Sequence, residues 1–213
     1  APEMSGVYES NDKLVAVEKY LTIHGEGPED VAVDKGGYIY TGLLNGKIIR
    51  FQPDGSNPTV FSDTKGRPLG MAFDTLGNLI VADAEKGLIM IDAEGGVLPL
   101  TNAYKGQPYQ FVDDLDIAAD GKVYFSDASL GAGVRNWKDD IMAHSGSGRL
   151  FVYDPVRKQT QLLLGGLNFA NGIALGPDDA YVLINETSAY RVIKYWLKGA
   201  KGGNDEVFIE NLP

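Results

Sequence analysis

The sequence predicts an all-β fold, a β-propeller of four-stranded antiparallel blades, with about four blades in this chain. Three observations predict it. A strand–turn–strand unit recurs as EDVAVDKGGYIYTGL (29–43), LGMAFDTLGNLIVAD (69–83), DDLDIAADGKVYFSD (113–127) and NGIALGPDDAYVLIN (171–185). Equivalent positions 30, 70, 114 and 172 are 40, 44 and 58 residues apart, close to the roughly 40–45-residue period of a propeller blade. The 27 Gly and 10 Pro fall in short punctuating clusters, the pattern of turns between many strands rather than of linkers.

Residue type justifies each element in order. The first strand of each unit is short and apolar and runs into DKGG, DTLG, AADG or GPDD, chemistry that suits tight turns. The second strands, YIYTG, NLIVAD, KVYFSD and YVLIN, are rich in β-branched and aromatic residues. Third strands follow as KIIRFQ (47–52), GLIMID (87–92), GRLFVYD (148–154) and RVIKYWL (191–197), and more polar fourth strands as PTVFS, GVLPLT, QTQLLLG and DEVFIE. The longest interval carries an insertion, SLGAGVRNWKDDIMAHSG (129–146). No segment has the length and apolar period of a core helix. Ahead of the first unit, AVEKYL (16–21) reads as a strand that closes a blade from the other end of the chain. Residues 1–213 are thus expected to form a single propeller domain, an incomplete ring with units starting near 29, 69, 113 and 171. A β-sandwich is the alternative.

The chain has 213 residues, 44% of them apolar, and a net charge of −10. A surface that acidic disfavours nucleic acid and anionic lipid and favours cations. There is no Cys, which excludes disulfides, zinc–thiolate sites and thiol nucleophiles. No apolar run approaches a membrane span. Residues 1–13 are polar and lack the apolar core of a signal peptide, as does a mature chain whose leader has been removed.

FVDDLDIA (111–118) has the hydrophobicity of a strand, yet holds Asp113, Asp114 and Asp116. In a propeller the first strand of each blade lies beside the central channel, so residues at its start converge from distant parts of the chain. At that phase stand Glu29–Asp30, Leu69–Gly70, Asp113–Asp114 and Asn171–Gly172. Uncompensated carboxylates in a narrow channel raise one another's pKa, and a bound cation relieves them. Oxygen donors without His or Cys point to a hard ion, Ca²⁺ ahead of Mg²⁺. The bland reading is that these acids cap strands or bond turn amides. Asp116, which aligns with Ala32, Ala72 and Ala174, fits neither reading cleanly.

At these residues the sequence resembles a known family. GPEDVAV (27–33), GRPLGMAFD (66–74), VDDLDIAADGKVYFSDAS (112–129), SGRLFVYDP (147–155), FANGIALGPDDAYVLINETSAYRVIKYWLKG (169–199) and DEVFIENLP (205–213) are similar to strictosidine synthase-like proteins. The adipocyte plasma membrane-associated type is the nearest branch. Paraoxonases, gluconolactonases, senescence marker protein and diisopropylfluorophosphatase form the wider superfamily. The resemblance implies a six-bladed ring with calcium in its channel. It places Glu29, Asp113 and Asn171 on that ion, and Asp30 and Asp114 on a second, structural calcium. It also implies hydrolysis of lactones, esters or organophosphates, with calcium as Lewis acid. The alternatives are a non-catalytic binding or scaffold propeller with structural calcium, and an amine–aldehyde condensing enzyme of the strictosidine synthase kind.

Two departures matter. The chain stops at ENLP, where relatives continue with a G-x-P-D-N motif that supplies a further ligand, so missing blades or a second chain are expected to complete the ring. Leu69 stands where paraoxonases have a His, so their His-based mechanism does not carry over. Asp113 is the expected catalytic base, and His144, in the insertion, a candidate catalytic or substrate-facing residue. His24 and Glu186 are expected to be structural, and Trp137 and Trp196 to be packed within blades. The expected partner is a small-molecule substrate and the expected compartment extracytoplasmic.

Overall fold

The structure is a computed structural model that describes residues 5–6, 9–17 and 24–212. Each repeat unit forms one four-stranded antiparallel sheet with its strands in chain order. Blade 1 holds β1 (Val31–Val33), β2 (Ile39–Gly42), β3 (Lys47–Phe51) and β4 (Thr59–Asp63). Blade 2 holds β5 (Pro68–Phe73), β6 (Leu79–Asp83), β7 (Gly87–Ile91) and β8 (Val97–Thr101). A small hairpin, β9 (Ala103–Tyr104) and β10 (Gln107–Pro108), links it to blade 3. Blade 3 holds β11 (Val112–Ile117), β12 (Val123–Asp127), β13 (Gly148–Asp154) and β14 (Gln159–Leu167). Blade 4 holds β15 (Ala170–Leu175), β16 (Tyr181–Glu186), β17 (Arg191–Trp196) and β18 (Asp205–Glu210).

The first three β-turns work as their sequences suggest. Asp34, Asp74 and Asp120 each accept a backbone N–H from two residues on, that of Gly36, Leu76 and Lys122 respectively, which fixes the turn without help from the other strands. GPDD departs from this pattern. Pro177–Asp179 forms a short 3₁₀ turn, with Asp178 and Asp179 at φ of 56° and 51°.

The inner strands β1, β5, β11 and β15 neighbour one another in that order. Apolar cores fill the three seams between blades. Ala32, Tyr40 and Ile48 meet Met71, Val81 and Ile89 between blades 1 and 2. Ile80 and Leu88 meet Leu115, Phe125 and Phe151 between blades 2 and 3. Leu150 and Val152 meet Val182, Ile184 and Ile193 between blades 3 and 4. The alternation of each strand supplies one row of apolar side chains per seam. Val31 and Val33, the neighbours of buried Ala32 on β1, point the other way and are 58% and 57% exposed.

The insertion contains a short helix, α1 (Trp137–Ala143), seven residues long with a single buried residue, Asp140, which has neither the length nor the apolar stripe of a core helix. Two expectations need correction or limit. Trp137 is 41% exposed rather than packed inside a blade; its ring lies 6.2 Å from that of Phe169. Trp196 is half-buried against Tyr181, with ring centroids 5.4 Å apart. The strand expected at AVEKYL falls mostly outside the described residues.

Candidate metal centre

Three inner strands carry the same irregularity at the same place. Between Pro68 and Met71, Val112 and Leu115, and Ala170 and Ile173, the inner strand spends three steps against two on its neighbour. Each is a β-bulge, which bends a strand and re-aims its side chains. The bulged pairs are Leu69–Gly70, Asp113–Asp114 and Asn171–Gly172. Phe169, just before the last bulge, holds a φ of 55°, a conformation rare for a bulky residue and typical of functional sites. The phase read from the sequence is therefore a real structural position, where the ladder opens.

At this position the acids divide into two kinds. Asp30 accepts the N–H of Val31 at 2.7 Å and, across the seam, that of Met71 at 2.7 Å. Asp114 accepts the N–H of Leu115 at 2.8 Å and, across the next seam, that of Ile173 at 2.7 Å. Asp116 repeats the device one step along, taking the N–H of Ile117 and of Leu175, both at 2.8 Å. All three carboxylates tie one blade to the next through backbone donors that a bulge or an inner edge leaves without ladder partners. This accounts for Asp116. It also gives Asp30 and Asp114 a task in the fold, so a second ion on them has to compete with four backbone bonds. Glycine alternates with these acids: a Cβ on Gly70 would lie 2.2 Å from Oδ1 of Asp114. Gly70 thereby makes room for the Asp114 carboxylate, while Gly172 leaves space for the Asn185 amide, 2.8 Å from where its Cβ would lie.

Glu29, Asp113 and Asn171 are the other kind. Their side chains make no hydrogen bond to any described residue. Asp113 is 5% exposed, and its Oδ2 is buried without a partner. Burial, then the charges of Glu29 and Asp114, push its pKa well above the ordinary carboxylate value, while Arg67 opposes. Glu29 stays exposed to solvent; such burial as it has, with the charges of Asp114 and Asp30, raises its pKa, and Arg67 again opposes. Glu29 and Asp113 thus lie within electrostatic reach of each other, and β15, with Asn171 in its bulge, is bonded to Asp114. Among the described residues no three His, Cys, Asp or Glu side chains are grouped to hold an ion; the set here is two acids and an amide.

Sequence reasoning missed Arg67, which lies three residues ahead of the bulge phase. Its side chain is 9% exposed, and Nη1 donates to the Gly27 carbonyl at 2.8 Å. The acids are therefore not wholly uncompensated, as the sequence alone suggested.

A further ring of acids at the ends of the second strands is structural. Asp83 accepts the N–H of Arg67, Asp127 those of Gln110 and Phe111, and Glu186 that of Asn168. Arg149 pairs with Asp127, and Arg191 with Glu186. Each fastens the loop that leads into an inner strand, as expected for Glu186. His24 likewise meets the Pro58 carbonyl at 3.3 Å. His144 is exposed at the C-terminus of α1, with φ of 46°, and makes no hydrogen bond or ion pair with Asp113. The insertion around it is held by Asp140, which accepts bonds from Ser129 and Ser145.

The buried acids set a pH dependence. Burial chiefly raises the pKa of Asp114 from 3.8 to about 6, against the lowering by the Ile173 and Leu115 N–H bonds; Asp113, Glu29 and Asp127 are raised too. An acid with a raised folded-state pKa binds more protons folded than unfolded, so stability falls as pH rises from the unfolded value through the folded one. The metal-free protein is expected to melt at a higher temperature at pH ~5 than at pH ~7. Melting curves across that window check this, and added calcium is expected to remove much of the difference.

The comparisons with known proteins bear on this site. A family model described as strictosidine synthase matches residues 113–200, and one described as strictosidine synthase-like, N-terminal, matches residues 6–51. The chain belongs to the strictosidine synthase-like family. Within that family, adipocyte plasma membrane-associated protein from Gallus gallus is 34% identical over 229 residues, covering 100% of this chain and 55% of the relative. Strictosidine synthase-like protein 6 from Arabidopsis thaliana is 38% identical over 192 residues, covering 87% of this chain and 51% of the relative. The chain therefore spans about half the length of these relatives. Among solved structures, a gluconolactonase from Xanthomonas campestris superposes with a TM-score of 0.72 at 18% identity, covering 86% of this chain and 63% of that one. A calcium-binding regucalcin from Agrobacterium tumefaciens gives 0.67 at 17% identity, covering 87% and 60%. At such identities these two speak to the fold, and they support a partial propeller.

Proposed function

We propose that this chain is part of a calcium-dependent hydrolase of lactones or esters, organophosphates included, with the ion held by Glu29, Asp113 and Asn171. The single observation that carries the reading is the division among the acids. Asp30, Asp114 and Asp116 accept bonds from backbone donors, while the side-chain oxygens of Glu29, Asp113 and Asn171 accept none from described residues, and Asp113 keeps a buried oxygen with no partner. A buried, unpaired carboxylate oxygen is costly to maintain, and a hard cation is what such oxygens fit. The gluconolactonase and calcium-binding names of two propellers of like fold support the same direction.

When bound, calcium supplies Lewis-acid polarisation of a carbonyl or phosphoryl oxygen. Asp113 would hold the ion through Oδ2 and act as general base towards water through its other carboxylate oxygen. Leu69, Phe111 and Phe169, with Val134 and Ile141 of the insertion, form an apolar cluster adjoining the bulges, which limits the water that reaches Asp113.

A non-catalytic propeller with a structural calcium is the second reading, favoured by the depth of Asp113. A panel of lactones, aryl esters and organophosphates, assayed with calcium and after chelation, decides between them. Turnover that chelation abolishes and calcium restores is expected. Calcium binding without turnover on any substrate gives the second reading. Turnover indifferent to chelation leaves the metal no role, and condensation of an amine with an aldehyde becomes the activity to assay.

Two wider proposals accompany this one. Exposed Val31 and Val33 suit a surface that a further blade or a second chain covers, completing the ring around the single domain of residues 1–213. Among the described residues no helix is long and apolar enough to cross a membrane. The membrane association in the relatives' name suits an extracytoplasmic location.

A further inference from the structure

Arg67 is the cation that acts on both Glu29 and Asp113. Guanidinium groups buried beside carboxylates ordinarily pair with them, as Arg149 does with Asp127 through Nη2. Arg67 does not: among the described residues no carboxylate oxygen lies within ion-pair distance of it. Its backbone N–H is fastened by Asp83 at 2.9 Å and its Nη1 by the Gly27 carbonyl at 2.8 Å. Nε and Nη2 donate to no described residue. Unlike Nε of Arg149, neither is sealed from solvent without a partner. The site thus holds acceptors without donors on one side, at Asp113 and Glu29, and donors without acceptors on the other, at Arg67.

We propose that Arg67 is the anion-holding residue of this site and that the site takes a ligand bearing a carboxylate. Nε and Nη2 present two parallel N–H groups, the fork that a carboxylate accepts. A neutral lactone or ester has no such group, whereas the hydroxy acid that ring-opening releases does. The inference rests on the hydrolase reading for its choice of ligand. The fastened guanidinium carries the rest, and the main chain on both sides of it is already tied in place. Arg67 acts by binding, not by proton transfer.

The test is calorimetric titration of the full chain with 4-hydroxybutanoate and with the neutral 4-hydroxybutanamide, in calcium. The carboxylate is expected to bind at least ~10-fold tighter than the amide, and Arg67→Met to remove that preference while leaving the amide unchanged. Arg67→Lys keeps the charge without the fork and is expected to retain part of the preference. It also serves if Arg67→Met fails to fold, since a folded Lys variant with wild-type discrimination contradicts the proposal. Equal binding of acid and amide, binding of neither, or full carboxylate affinity in Arg67→Met overturns it. Failure of the hydrolase reading looks different: discrimination by Arg67 persists, while calcium heat or turnover is absent.

Discussion

Asp113→Asn is expected to lower calcium affinity by at least ~100-fold and to abolish calcium-dependent hydrolysis with it. Groups that merely orient a metal ligand change affinity by roughly 10–100-fold when lost, and Asp113 is proposed as a ligand. The change is nearly isosteric, so packing among Val112, Leu115 and Phe125 is retained. It removes a buried carboxylate oxygen that has no partner, a state shared among the described residues by Asp83 and Asp140, and with it a charge that burial disfavours. The variant without metal should therefore be at least as stable as the parent, the usual direction when a functional group is removed from a strained site. Calcium titration and thermal melting together check this. Unchanged calcium affinity contradicts the assignment, and a large loss of stability without metal shows that Asp113 serves the fold instead.

Asp114→Ala is expected to do the reverse: to destabilise the protein by about 2–4 kcal/mol, because Leu115 and Ile173 lose a charged acceptor. For a chain of this size that lowers the melting temperature by ~5–15 °C. The loss falls on the seam between blades 3 and 4, since Ile173 begins the paired part of β15 beyond its bulge. Calcium affinity is expected to change far less than in Asp113→Asn. Gly70→Ala approaches the same carboxylate from blade 2. Its Cβ would meet Oδ1 of Asp114 at 2.2 Å and the Asp114 Cα at 2.7 Å. Backbone cannot yield as a side chain can, so a comparable loss is expected. Denaturant unfolding of the two variants checks both, and a neutral Gly70→Ala contradicts the seam geometry.

How much of this was legible in the sequence follows from what periodicity can see. The blades and their four strands were visible because turn chemistry and strand composition recur at one spacing, and all four blade sheets have the expected order. The 40-residue phase also found the bulges, without naming them. What phase cannot do is separate two adjacent acids. Asp113 and Asp114 occupy the same bulge, and only coordinates show that one faces backbone N–H groups while the other has none. Gly70 at the phase of the acids was a usable signal, since a glycine facing Asp114 leaves that carboxylate its space. Asp116 was opaque because its partner, the Leu175 N–H, is 59 residues away. Arg67 was missed because it lies outside the repeated phase, though a lone cation ahead of a ring of acids is a pattern to look for. α1 was invisible because so short a helix buries too little to leave an apolar period.

The most direct test is a crystal of the chain grown in calcium, with anomalous scattering used to locate the ion. A peak about 2.3–2.6 Å from oxygens of Glu29, Asp113 and Asn171 is the predicted result. A peak held by Asp30 and Asp114 instead, or none near the inner-strand bulges at saturating calcium, contradicts the account.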